Sequence, residues 1–163
     1  MKMNIEELKL WNNIRDFELD EQEDTFMFSD RLARENGWPK QLTTRAMDEY
    51  KKFMFLVCVT HQALTPSEKV DQVWHLHLLY TRSYWKHFCT EVLKREIHHS
   101  PTRGGPKEKD KFNNWYAKTL FHYREKFDSP PPLDIWPSPN LKSRPSNFRY
   151  IDLTKNWIIK KPI

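Results

Sequence analysis

The stretch Val70 to Tyr80, VDQVWHLHLLY, reads as a strongly apolar helix that carries two histidines. Successive helical residues are rotated by about 100°, so positions two apart point to nearly opposite sides. His75 and His77 therefore cannot both ligate one metal on an undistorted helix. His75 shares a face with Asp71, four residues earlier, and with Leu78 and Leu79. His77 lies one turn beyond Val73 and Trp74, on another side. A helix this apolar must satisfy Asp71, His75 and His77 with little help from water.

Working outward, Thr65-Pro66-Ser67-Glu68 predicts the start of this helix: Thr65 as N-cap, proline at the first helical position and Glu68 reaching back to the cap. A further helix from about Ser83 presents Tyr84, Trp85, Phe88 and Val92 on one face and packs on its predecessor as a hairpin. Upstream, Met47, Tyr50, Met54, Val57, Cys58 and His61 recur with helical spacing after a Thr43 or Thr44 cap, and Phe53, Phe55, Leu56 and Val59 make this helix apolar almost all round. It is expected at the centre. Apolar residues at 5, 8, 11 and 14 mark a short first helix, and Phe26, Phe28 and Leu32 a second that stops at Asn36-Gly37 before Pro39. Downstream, Pro106 opens a long helix with Phe112, Trp115, Tyr116, Thr119, Leu120, Tyr123 and Phe127 on one side.

These elements predict an all-α fold, a compact bundle of about five to six helices over residues 1–128. From Asp128 the sequence DSPPPLDIWPSPN fixes extended geometry. Residues 129–163 are expected to form a Pro-rich arm anchored to the same domain by Leu133, Ile135 and Trp136, ending in a short strand or extended run at FRYIDLTKNWIIKKPI. The 163 residues include only 3 glycines, which argues against turn-rich β folds and against the glycine loops of nucleotide-binding α/β folds. No stretch has the roughly 20 apolar residues of a membrane span, and the N-terminus has no signal-like apolar region. Cys58 and Cys89 lie in apolar helical contexts as free thiols, consistent with a reduced, cytoplasmic setting. The net charge of +5 permits an anionic partner, but the basic residues are scattered.

The run VDQVWHLHLLYTRSYWKHFC, followed by HHSPTRGG and DIWP, resembles the bacterial branch of the glycine-rich domain-containing protein-like family, known mainly as a domain of unknown function. SDRLARENGW and EYKKFMFL fit the same pattern, so the resemblance covers about residues 28 to 137. Its motif falls on Val70, Asp71, Trp74, His75 and His77. The resemblance implies a helical fold and no catalytic assignment.

Two readings of the polar residues stand side by side. In the first, Asp71, His75 and His77 form a hydrogen-bond network that fixes the packing of the hairpin, with Trp74 and His77 as its structural centre. In the second, His98 or His99 from the following loop joins Asp71 and His75 in a nitrogen and oxygen site suited to zinc or non-haem iron. The turn Thr102-Arg103-Gly104-Gly105 before the Pro106 helix is a candidate anion site, with backbone N–H groups converging beside Arg103. Its structural counterpart is a sharp glycine turn with Arg103 pairing a carboxylate such as Asp71. His61, His87 and His122 require no function, and there is no nucleophile arrangement, since Cys89 reads as core.

The expected function is thus a helical binding or scaffold domain with a His/Asp/Arg polar centre, its partner a protein or a small anionic ligand. The alternative is a small His/Asp-ligated metalloenzyme acting on an anionic substrate. A second alternative is a nucleic-acid-binding module, whose binding would fall steeply with salt.

Overall fold

The computed structural model describes residues 3–21, 25–100 and 106–139, together with Trp157 and Ile159, and side chains within 106–109 are not described. Five α-helices and one π-helix lie among the described residues, with no strand. α1 (Ile5–Asp16) opens on a capping box in which Asn4 accepts from the Glu7 amide and Glu7 reaches back to the Asn4 amide. Trp11 and Ile14 bury its inner face, whereas Ile5 and Leu8, the earlier half of the same apolar stripe, are exposed. α2 (Phe28–Asn36) ends at Gly37, whose φ of 65° is the left-handed conformation that glycine adopts without a Cβ penalty. Phe28 and Leu32 are its buried residues.

α3 (Lys40–Thr60) is the hub, packed against α1, α2, α4 and α5. Its Ala46, Tyr50, Phe53, Met54, Phe55 and Leu56 are fully buried, and each large side chain among them is worth about 1.5–3 kcal/mol of apolar burial. The helix begins one turn earlier than a threonine cap would place it. Pro39 is the N-cap, and Thr43 and Thr44 are internal, their hydroxyls donating back to the Pro39 and Lys40 carbonyls at 3.2 Å. The next start is also shifted: Ser67, not Thr65, caps α4 (Glu68–Leu79), its hydroxyl accepting from the Val70 amide at 3.3 Å. Thr65 instead pairs its backbone with the Thr119 hydroxyl of α5.

After α4 the chain turns at Tyr80 into a π-helix, Arg82–Leu93. The buried residues here are Tyr84, Phe88, Cys89 and Leu93, a spacing of four to five that suits the wider π turn. The ordinary helical period puts Trp85 and Val92 on that face. In the wider helix they fall to its margin and are only partly buried. The element closes at Lys94, a non-glycine residue at φ 55°. α5 (Pro106–Phe127) returns across α3, with Tyr116, Thr119 and Tyr123 buried.

Beyond α5, Ile135 and Trp136 are fully buried against the helices, whereas Leu133 is exposed. The Trp136 indole donates to Glu49 Oε2 at 2.7 Å, and Tyr123 Oη and Lys52 Nζ meet Glu49 Oε1 at 3.1 and 2.8 Å. Arg45 holds Asp134 through two hydrogen bonds at the surface. The expected strand at 148–163 lies outside the described residues except at Trp157 and Ile159, which are exposed. No described helix is long and apolar enough to cross a membrane.

Candidate metal centre

α4 distributes its polar residues as the helical rotation requires. His77 points inward and is completely buried, ringed by Phe17, Phe28, Tyr50, Tyr84 and Phe88. Its Nδ1 lies 2.8 Å from Tyr50 Oη and its Nε2 3.2 Å from Ser83 Oγ. One hydroxyl donates to the ring and the other accepts from it, so a neutral imidazole is satisfied at both nitrogens. Burial pushes its pKa down to about 3. His77 is a core residue.

Asp71 and His75 occupy the outward face. Asp71 is partly buried, and the His75 side chain is 50% exposed, so neither is as enclosed as the apolar sequence around them suggests. The segment after the π-helix brings His99 onto this face, with Nε2 2.8 Å from Asp71 Oδ1, while His75 Nε2 lies 3.6 Å from Asp71 Oδ2. The two imidazoles have centroids 4.6 Å apart. One ligand atom from each of the three residues lies within 4.8 Å of the others. Ligands held about 2.0–2.2 Å from a tetrahedral zinc are about 3.3–3.6 Å apart; the His75–Asp71 separation falls at that spacing, whereas the His99–Asp71 contact is a direct hydrogen bond that an ion would have to open. The donor set, two imidazoles and a carboxylate, suits zinc with an open fourth position or ferrous iron with a facial set of ligands.

His98, the other candidate from the loop, is placed elsewhere. It is exposed, pairs with Glu96 at 3.5 Å and lies over the Trp85 ring. Thr102, Arg103, Gly104 and Gly105 lie outside the described residues. His87 pairs with exposed Glu91, and His61 caps α3 in the left-handed conformation.

Below the cluster, the Trp74 indole N–H donates to Tyr84 Oη at 3.0 Å, and the Tyr84 hydroxyl donates to the Ile97 carbonyl. Trp74 also sets its ring edge-on against His99, with centroids 4.5 Å apart. A buried His77 calls for a carbonyl or tyrosine partner and Tyr50 is one, whereas Tyr84 and Ser83 carry hydrogen bonds that reading the sequence for histidines did not find. The available signal was a tyrosine on an apolar face, whose hydroxyl needs a partner once buried.

No curated protein and no solved structure is significantly similar to the chain. A family model, UCP032817-like, matches residues 13–123, the interval that holds α2 to α4, the π-helix and all three residues of the cluster. The chain belongs to the UCP032817-like family.

Proposed function

We propose that this protein is a helical metal-binding domain in which Asp71, His75 and His99 hold one zinc or ferrous ion. The observation that carries the reading is the convergence of three ligand atoms within 4.8 Å, two from one helix and one from a loop. Asp71 and His75, four residues apart, form a rigid half-site on α4, and His99 completes it. Three protein ligands leave a position for water or for a small anionic ligand, and the exposed side of His75 gives access to it. An activity, hydrolytic or oxidative, would require that open position. The binding role requires only the ion.

Kinship with glycine-rich domain-containing proteins, through Val70, Asp71, Trp74, His75 and His77, is part of the same proposal and brings no catalytic residue with it. A cytoplasmic setting accords with the free thiols of Cys58 and Cys89, both buried. The anion-binding role of Thr102, Arg103, Gly104 and Gly105 also remains a proposal, as does a protein partner.

Element analysis and zinc titration of the full chain test the metal. One ion per chain is expected, lost in His75→Ala and in His99→Ala. Sub-stoichiometric metal indifferent to both substitutions would leave an Asp71–His99 hydrogen bond that needs no ion.

A further inference from the structure

His99 lies on residues 96–100, which have no regular secondary structure, so neither helical hydrogen bonds nor a helix face fixes its ring. A ligand from such a segment needs outside support, because metal sites lose affinity when first ligands are free to wander. Trp85 meets His98 and Cys89 meets the Ile97 backbone, and two further contacts bear on the position of His99 from below. Tyr84 donates to the carbonyl of Ile97, two residues before His99, and Trp74 lies edge-on to the imidazole itself. The directions of the hydrogen bonds are forced. An indole N–H can only donate, so Tyr84 Oη accepts from Trp74 and spends its own proton on Ile97. Tyr84, Ile97 and Trp74 are all buried. Tyr84 belongs to the π-helix, whose wider turn keeps it in the buried row with Phe88, Cys89 and Leu93.

We infer that Tyr84 is a positioning residue for the metal centre: through the Trp74–Tyr84–Ile97 relay, the π-helix holds His99 in register with Asp71 and His75. This rests on the metal reading above and adds a residue that touches neither the ion nor its ligands. The relay makes α4 serve the site twice, since Asp71 and His75 lie on its outward face and Trp74 anchors the loop that brings the third ligand.

The test compares zinc affinity, by competition with a chromophoric chelator, in the full chain and in Tyr84→Phe, with Tyr50→Phe as a control that removes a buried hydroxyl from His77. Tyr84→Phe is expected to weaken zinc about 10- to 100-fold, the usual effect of losing a group that orients a ligand. It should also change the visible absorption of the cobalt(II)-loaded protein, because His99 is no longer held in one geometry. Tyr50→Phe should leave both readouts unchanged whatever it does to stability. Should Tyr84→Phe fail to fold, Trp74→Phe, which removes the relay's first donor, is expected to shift both readouts in the same direction by a smaller factor. Zinc bound equally by wild type and the relay variants would overturn the positioning role alone, as would an equal loss in Tyr50→Phe. A wild-type chain that binds no zinc would overturn the metal reading and this inference with it.

Discussion

Tyr50 Oη lies 2.8 Å from His77 Nδ1, and both residues are fully buried within a shell of aromatic rings. That contact ties α4 to α3 through a neutral imidazole, and it makes the protein sensitive to acid. An unfolded histidine binds a proton near pH 6.5, whereas native His77 resists protonation until about pH 3. The stabilisation is complete above the unfolded value and is lost as pH falls from there towards the folded one, at up to about 1.4 kcal/mol per unit from this group.

His77→Gln keeps a donor and an acceptor without the titration. At pH 7 it is expected to be less stable by about 1–3 kcal/mol, from imperfect hydrogen bonds, yet to lose less on acidification. Urea denaturation at pH 7 and pH 4 checks this; equal acid losses in both chains would place the sensitivity in other groups.

Glu49 is a buried carboxylate with donors from α3, α5 and the segment beyond. Glu49→Ala leaves Lys52, Tyr123 and Trp136 without it and is expected to cost about 3–5 kcal/mol. Asp134→Asn breaks a pair with Arg45 that lies in solvent and should move the urea midpoint little. Comparable shifts from the two substitutions would contradict this assignment.

Lys94 ends the π-helix at φ 55°, where a Cβ is unfavourable. Lys94→Gly is expected to stabilise the chain by about 0.5–1 kcal/mol, read as a higher urea midpoint. A lower midpoint would mean that the lysine side chain does more than tolerate this conformation.

Zinc should raise the thermal midpoint. At a concentration one hundred times its Kd, an ion that binds only the native state adds about 2.7 kcal/mol, or about 5–10 °C for a chain of this size. His98→Ala should keep this increment and Asp71→Asn should lose it, which calorimetry with and without zinc will show.

The parts legible in the sequence are those governed by local periodicity. The 100° step of a helix separates His75 from His77 and pairs His75 with Asp71, and the structure keeps that separation. Local signals mislead where two readings share one pattern. Thr65 and Ser67 are both cap residues, and only the packing of Thr65 against α5 assigns the cap to Ser67. Tyr84, Phe88 and Cys89 are buried as the sequence suggests, but the π turn moves Trp85 and Val92 to the margin and buries Leu93. The choice between His98 and His99 depends on a loop, where no period operates; the Asp71 contact and the Trp74 ring place His99 there. Glu49 did leave a trace, as a carboxylate between Ala46 and Phe53 in the inward stripe of α3, but two of its three partners lie 74 and 87 residues away.

That distance has a consequence for how the chain is made. Synthesis runs from the N-terminus, so Glu49 emerges long before Tyr123 and Trp136. Until they arrive, the carboxylate has only Lys52 of these partners beside it and must keep its water, and α3 cannot dry the side that α5 and Trp136 later cover. Closure of the core waits on residues far downstream of α3: the nascent protein can assemble helices early, but it can seal the Glu49 carboxylate only once Trp136 has left the ribosome.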